Sequence, residues 1–224
     1  MSVLSSLFEN DRFAVVAKPA GMNFHSEEAA GFVVQAEALL GCKLYPVHRL
    51  DKMTSGLILL AKTPEAARDF ERLFSERLVE KYYLALSLRK PKKKQGWVKG
   101  DMAPARRGDW KLMPTMENPA ITRFISAPLR PGERLFLVKP RTGKTHQIRV
   151  ALKSLGSPIA GDMRYARTEE AKLEERGYLH AFALRFTLKG EQYDFLLPPE
   201  EGERFLSSEA QAQIREWDAP WKLF

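Results

Sequence analysis

The stretch that decides the fold runs from Tyr45 to Thr63 and reads YPVHRLDKMTSGLILLAKT. Its second half, Ser55 to Ala61, is an apolar run in which apolar and polar residues do not alternate. A strand with one solvent-exposed face alternates, so this run predicts a central strand that is buried on both faces. Asp51 stands just before it, where a rigid scaffold could hold a reacting carboxylate in place. An ordinary turn capped by Asp51 explains this segment alone equally well.

Composition places the chain among soluble globular proteins. Of its 224 residues, 44% are hydrophobic and 29% are charged. No apolar run approaches the roughly 20 residues that cross a bilayer, and we see no secretory signal peptide at the start. Cys42 is the only cysteine, which excludes an intrachain disulfide and a cysteine-rich zinc site. We therefore expect a cytoplasmic protein.

The positive charge is concentrated in one part of the chain. The net charge is +8, and between Lys81 and Lys111 ten Lys and Arg stand against Asp101 and Asp109, a local balance of +8. A local basic excess indicates a polyanionic partner. A loop whose charges only favour solubility is the alternative.

Local signals predict the remaining elements. Thr63, Pro64 and Glu65 form a helix start, with a capping residue, a proline and an acid in the first turn. Thr145 is predicted to cap a helix that ends at Gly156, and Arg149 lies away from that helix's apolar stripe. Further helices are predicted over residues 27–40, 167–176 and 208–217, and strands over residues 13–17, 81–88, 121–125, 135–139, 179–188 and 192–197.

Residues 89–120 lose this periodicity. The charge run RKPKKKQG is followed by Trp97 and Trp110, which are interleaved with Arg106, Arg107 and other cations. Two interpretations stay open. The segment is an exposed hairpin or arm that contacts nucleic acid, because bases stack on aromatic rings while cations meet phosphates. Alternatively, the aromatic rings pin the loop to the core.

Common phosphate and metal motifs fail on inspection. TGKTH resembles a phosphate-binding loop. That motif requires a glycine five residues before Gly143, but the residue at that position is Val138. No HExxH, GxGxxG or GxSxG occurs, and a single cysteine cannot supply the PCxxC of a zinc nucleobase deaminase. The four histidines have no metal-ligand spacing. Acid chemistry without a metal or a dissociable cofactor is the interpretation left.

Three motifs together resemble the RluA-type pseudouridine synthases, which isomerise uridine in structured RNA. These are HRLDKMTSGLILLAKT, KYYLAL and RTGKTHQIRVALKSLGSPIAGDMRY, in that order, and the resemblance runs from about Phe8 to Pro198. It implies an α+β catalytic fold: a mixed, largely antiparallel sheet flanked by helices, with a central RNA-binding cleft. It also implies one catalytic domain over residues 1–224, including the acidic segment 199–224.

The resemblance implies partners as well. We expect structured RNA, ribosomal or transfer, as the substrate, with no cofactor, no metal and no membrane, and a monomer. Some relatives carry an additional N-terminal RNA-binding module of the S4 type. Only about a dozen residues precede the first predicted strand here, so no such module is expected.

The roles of the family's residues carry over by position. Asp51 in HRLD matches the nucleophile. Tyr83 in KYYLA matches a tyrosine that packs on the target base and serves in proton transfer. Arg149 in THQIRV matches the basic partner of the aspartate. Arg49 matches an arginine that fills the space left by the flipped base, and Ile148 is expected to line the base pocket.

Other residues are expected to contact the RNA. The substrate-binding set also includes His48, Thr145 and His146, and a basic RNA surface is expected at Lys92, Lys93, Lys94, Arg106 and Arg107. The sequence departs from the family pattern where Ala151 stands in place of a common His and Lys144 in place of a commoner Arg. Neither departure touches the three catalytic positions.

Two other classes of function compete with this one. A non-catalytic RNA-binding protein could use the same cleft, although intact Asp51, Tyr83 and Arg149 argue against it. A glycosidic-bond hydrolase usually needs a second carboxylate near the first. Asp162 in GDMRY is the candidate for that carboxylate, but we expect it to order its own loop.

Overall fold

The computed structural model describes residues 4–26 and 31–224. Within them the strands are β1 Ser5–Glu9, β2 Phe13–Lys18, β3 Tyr45–Pro46, β4 Ser55–Ala61, β5 Glu80–Ser87, β6 Gln95–Gly100, β7 Met102–Pro104, β8 Trp110–Leu112, β9 Ala120–Pro128, β10 Arg134–Pro140, β11 Leu179–Leu188 and β12 Glu191–Leu196. The α-helices are α1 Phe32–Leu40, α2 Pro64–Ser75, α3 Gln147–Ser154, α4 Thr168–Ala171 and α5 Ser208–Glu216.

Ten of the described strands form one mixed sheet. Its main path runs β1-β2-β4-β11-β5-β10-β9-β6, with β3 beside β4 and β12 beside β11. The pairing of β4 with β11 is parallel, and the other pairings in this sheet are antiparallel. The strands β7 and β8 form a separate two-stranded hairpin. The expected α+β class with a mixed, largely antiparallel sheet is therefore confirmed.

The central strand predicted from the apolar run is β4. All seven of its residues are buried, and β4 lies inside the sheet between β2 and β11. Gly56 is required where β4 meets β11: its φ is +111°, and a Cβ there would lie 2.2 Å from the carbonyl oxygen of Ala181. The strand thus provides a fixed support for the loop that precedes it.

The helix predicted at Thr63 is confirmed as α2. The Thr63 side chain accepts a hydrogen bond from the Ala66 N–H at 3.1 Å, and Pro64 occupies the first helical turn. The helix buries Phe70 and Leu73 on the core side. The predicted α1 begins only at Phe32, and residues 27–30 of that prediction lie outside the described residues.

The prediction that Thr145 caps α3 is wrong. The capping position is His146, whose φ is +56°, and no side chain accepts a capping hydrogen bond there. Instead the buried Gln147 accepts hydrogen bonds from the Lys144 N–H and the Thr142 hydroxyl, and its amide donates to the Ile121 carbonyl. The side chain of Gln147, in the first turn, therefore fixes the segment of chain that leads into this helix.

The other differences between the predicted and the observed secondary structure concern short elements. The helix predicted over residues 167–176 is limited to the four residues of α4. The segment without periodicity contains β6 and the β7–β8 hairpin, and β1 was not predicted. A hairpin of three-residue strands is too short to show a period, and β6 lies at an edge of the sheet with Gly96 and Gly100 inside it. Across the described residues, no helix is both long and apolar enough to cross a bilayer.

Candidate active site

A cleft of about 830 Å³ opens where β5, β10, α3 and the loop before β4 meet. Its walls bring together the residues predicted to be catalytic or to bind the substrate, although they are far apart in sequence. These residues are His48, Arg49, Asp51, Tyr83, Thr145, His146, Ile148 and Arg149. The sequence motifs therefore converge on one site.

An ion-pair chain lies on the floor of this cleft. Arg149 donates from Nη1 to Oδ2 of Asp51 at 3.0 Å, and from Nε and Nη2 to the two oxygens of Asp162, each at 2.8 Å. The Asp162 side chain is fully buried, whereas the side chain of Asp51 is 25% exposed. Arg149 is thus held from behind by Asp162 and presents its remaining edge to the carboxylate that faces the cleft.

The charge of Arg149 is secured by its surroundings. Burial alone lowers the pKa of this guanidinium, but the hydrogen bonds and charges of Asp162 and Asp51 outweigh burial and raise the pKa above its usual value. The ring of Tyr165 lies 5.0 Å from the guanidinium carbon and adds a cation–π contact. Arg149 is buried by its partners, which periodicity could not show.

Tyr83 forms part of the cleft wall from strand β5. Its side chain is almost fully buried. Burial, and secondarily the negative charge of Asp51, raise the pKa of its hydroxyl well above the usual range. The hydroxyl is therefore protonated at neutral pH.

His48 ties the loop before β4 to that strand. Its Nε2 accepts a hydrogen bond from the Leu59 N–H at 2.9 Å, and its ring stacks on Phe74 with a centroid separation of 5.0 Å. An acceptor at Nε2 requires a neutral imidazole. Burial, followed by the charge of Lys81, lowers the pKa of His48 to about 3. The ring thus remains neutral, and its hydrogen bond to β4 fixes the loop that carries Asp51.

Lys18 clamps the same loop from the other side. The residue is 1% exposed, and its ammonium group lies 2.7–3.3 Å from four carbonyl oxygens, those of Pro19, Asp51, Lys52 and Thr54. Burial lowers the pKa of Lys18 to about 7, although the charge of Asp51 acts in the opposite direction. This lysine is the last residue of β2, and no role in the site was predicted for it from the sequence.

We expect the stability contributed by Lys18 to rise with pH. The folded chain releases this proton near pH 7, while the unfolded chain holds it to its ordinary pKa of 10.5. Between those values the unfolded state binds more protons, so the free energy of unfolding increases with pH. Relative to Lys18→Met, the wild type should gain up to about 2–3 kcal/mol from about pH 7 to about pH 9.

Urea unfolding at both pH values measures this difference, with Lys172→Met as the control because Lys172 is exposed. A difference between wild type and Lys18→Met that stays constant over this range would contradict the prediction. It would show that the four carbonyl oxygens keep the ammonium charged.

His146 and the β7–β8 hairpin are joined through one hydroxyl. The Trp110 N–H donates to the Tyr165 hydroxyl at 2.9 Å, and that hydroxyl lies 2.7 Å from Nδ1 of His146. The Tyr165 hydroxyl therefore bridges the backbone of Trp110 and the His146 ring, and burial lowers the pKa of this imidazole. The hairpin is thereby fixed beside the first turn of α3.

The residues predicted to form a basic RNA surface lie in two places. Lys92 lies at the C-terminal end of α3, where its N–H donates to the Leu155 carbonyl, and Lys93 and Lys94 are exposed beside it. Arg106 and Arg107 are exposed at the turn of the β7–β8 hairpin. None of these five lines the cleft, so their contribution to RNA binding stays a prediction.

Several residues of the site were missed or undervalued in the sequence. Asp162 does order its own loop, accepting from the Arg164 N–H at 3.0 Å, but it also holds Arg149. Lys18 and Tyr165 were given no role in the site. The motif GDMRY carried a usable signal, because an acid close in sequence to a predicted catalytic arginine is a natural partner for it.

The chain is similar to known proteins over most of its length. The family described as RNA pseudouridylate synthase matches residues 12–154. A Haemophilus influenzae protein named an uncharacterized RNA pseudouridine synthase is 46% identical over 93% of each chain. The ribosomal large subunit pseudouridine synthase C of Escherichia coli K12 is 36% identical over 82% of this chain and 62% of its own length.

Solved structures agree in fold. The human RNA pseudouridylate synthase domain containing 1 superposes with a TM-score of 0.79 at 24% identity, covering 98% of this chain and 97% of that one. The human domain containing 4 superposes with a TM-score of 0.72, also at 24% identity, covering 94% and 92%. At this identity the likeness concerns the arrangement of the backbone alone.

Proposed function

Because this chain belongs to the RNA pseudouridine synthase family, we propose that it isomerises one uridine of a structured RNA to pseudouridine, with Asp51 as the nucleophile. The observation that carries the proposal is the position of this carboxylate. It faces the cleft, is 25% exposed, and is paired with Arg149 at 3.0 Å. The ion pair holds the carboxylate at a fixed position facing the cleft, where a nucleophile has to stand.

Isomerisation of uridine to pseudouridine requires few catalytic groups. The N1–C1′ bond of the uridine breaks, the uracil turns, and C5 joins C1′ while the C5 proton leaves. Asp51 would act by attack on C1′, by attack on C6 of the ring, or by abstraction of the C2′ proton. Tyr83 offers a ring for the uracil to pack against and a protonated hydroxyl near the C5 proton.

Access to the uridine requires the base to leave the RNA. Extrusion from a folded RNA costs a few kcal/mol. Arg49 is exposed at the cleft, where its guanidinium would occupy the space that the base leaves. Cations along the cleft, including Lys81, Arg141 and Lys144, would offset the cost by contacts with phosphates. Binding should therefore weaken strongly as salt increases.

Asp162, the second carboxylate that the sequence offered for hydrolysis of the glycosidic bond, is poorly placed for that role. A two-carboxylate hydrolase needs a second acid that reaches a water molecule or the leaving group. Asp162 is fully buried, and both of its oxygens accept hydrogen bonds from Arg149. It is not available for that role. Release of free uracil would nevertheless be the signature of a hydrolase.

Tritium release tests the proposed reaction. The protein is incubated with RNA that carries tritium at C5 of uridine, because joining C5 to the sugar forces that atom to lose its hydrogen. Large-subunit ribosomal RNA is tested first, since curated relatives are named for it, and transfer RNA second. Release to water without free uracil supports isomerisation. Absence of release from every RNA, with binding intact, supports a non-catalytic RNA-binding protein.

We expect Tyr83→Phe to separate the two proposed roles of the tyrosine. The ring that packs on uracil is kept while the hydroxyl is lost, so the Michaelis constant should change little. Loss of a positioned proton donor or acceptor lowers the rate by about 10²–10⁴-fold. Tritium release at saturating RNA measures kcat. Tyr193→Phe removes the hydroxyl of a partly exposed tyrosine outside the cleft and should leave kcat unchanged. An equally unchanged kcat in Tyr83→Phe would remove the hydroxyl from the reaction.

A further inference from the structure

A cluster of cations surrounds one tryptophan near the rim of the cleft. Trp97 lies on β6, and its ring centre is 4.9 Å from Nζ of Lys99 and 5.3 Å and 5.0 Å from the guanidinium carbons of Arg123 and Arg141. Lys99 and Arg141 are exposed, while Trp97 and Arg123 are half-buried. We refer to these four residues as the Trp97 cluster.

The register of the sheet assembles this cluster. Trp97 is directly opposite Arg123 on the neighbouring β9, so both side chains share one face of the sheet. Lys99 follows two residues later on β6 and points to the same face. Arg141 follows β10 and completes the group from the next strand. Two strands, β6 and β9, and the residue that follows β10 thus contribute cations to one aromatic ring.

The three cations carry uncompensated charge. Within residues 4–26 and 31–224, none of Lys99, Arg123 and Arg141 forms an ion pair with a carboxylate. By contrast, Arg185, which also lies over a tryptophan, is paired with Asp194 at 2.8 Å. A positive patch without acids attracts a polyanion more strongly than a neutralised one.

The cluster is continuous with the cleft. Arg141 belongs to the cleft wall and also lies against the ring of Trp97. Lys139, two residues earlier on β10, lines the cleft as well and pairs with Glu80. Tyr83 faces the opposite side of the sheet, so a strand of RNA that reaches from the cleft to Trp97 must pass around the end of β10 at Arg141.

We propose that the Trp97 cluster is a second RNA-docking surface that binds nucleotides flanking the target uridine. Phosphates would meet Lys99, Arg123 and Arg141, and an unpaired base would stack on the indole or on a guanidinium plane. The inference deepens the proposed function and rests on RNA being the substrate. The competing role is protection of the edge strand β6, where lysine and other charges discourage pairing with another chain.

Binding of fluorescein-labelled oligouridylate of about 20 nucleotides, followed by fluorescence polarisation over a salt series, tests the surface. Trp97→Ala should weaken binding by roughly 5- to 100-fold, and Trp97→Phe, which keeps a ring, should recover most of it. Lys99→Gln should reduce the slope of log affinity against log salt by about 0.7. Lys172→Gln removes the same charge at an exposed position just after α4, outside the Trp97 cluster and the cleft wall, and should leave the slope unchanged.

Lys99→Gln is the variant least able to disturb folding, because this side chain is exposed and pairs with no carboxylate of the described residues. Thermal unfolding checks every variant. If Trp97→Ala and Lys99→Gln both bind the oligouridylate as the wild type does, the cluster only protects the edge strand and the proposal is overturned. In the tritium assay the proposal predicts a raised Michaelis constant and an unchanged kcat for Trp97→Ala. If the wild type releases no tritium but the binding differences persist, the docking surface stands and the proposed reaction falls.

Discussion

Asp51→Asn should lower tritium release by about 10⁴-fold or more, which is the size of effect seen when an enzyme loses a group that acts directly in catalysis. The substitution keeps the shape of the side chain and its ability to accept from Arg149, whose Nη1 lies 3.0 Å away. It removes the negative charge and most of the nucleophilicity. The fold should be unaffected, because the buried pair of Arg149 with Asp162 is intact.

RNA binding separates this result from a general loss of function. Asp51→Asn should bind RNA at least as tightly as the wild type, since removing one negative charge from a basic cleft reduces repulsion of phosphates. Asp218→Asn, which makes the same change at an exposed position, should retain full activity. Asp51→Asn with more than about a tenth of wild-type activity would exclude Asp51 as the nucleophile.

Asp162→Ala should have the largest effect on stability of any single substitution in the site. It leaves the guanidinium of Arg149 buried with only Asp51 as a partner. Removing one member of a buried ion pair costs about 3–5 kcal/mol, because the other charge is left uncompensated. Urea unfolding at neutral pH measures this loss, and tritium release should fall because Arg149 no longer holds its position against Asp51.

A surface pair of the same chemistry provides the control. Arg185 and Asp194 form an arginine–aspartate contact at 2.8 Å, but their side chains are 29% and 31% exposed. Asp194→Ala should therefore cost less than about 1 kcal/mol. The double variant Asp162→Ala/Arg149→Met should be more stable than Asp162→Ala alone while remaining inactive. If Asp162→Ala were no more destabilising than Asp194→Ala, Asp162 would not be the support of Arg149.

The sequence alone identified much of the architecture. Strand β4 follows from an apolar run that only a strand buried on both faces tolerates, and α2 follows from a capping threonine with a proline behind it. These signals lie within a few consecutive residues. The structure forms both elements where these local signals predict them, because the packing of the central sheet requires the same elements there. The convergence of Asp51, Tyr83 and Arg149 on one cleft was expected from the resemblance of three motifs, and all three line that cleft.

The contacts that hold the site were decided by the tertiary structure. Arg149 lies 98 residues from Asp51, and the ammonium group of Lys18 reaches the carbonyl oxygens of residues 33 to 36 positions away. The cations around Trp97 come from β6, from β9 and from the residue after β10. Such contacts leave no periodic pattern, because a polar side chain shows its type in the sequence but not its partner. The physical reason is that burial of a charge is tolerated only where another segment supplies the opposite charge or the acceptor, and the tertiary arrangement of strands, helices and loops determines which segment that is.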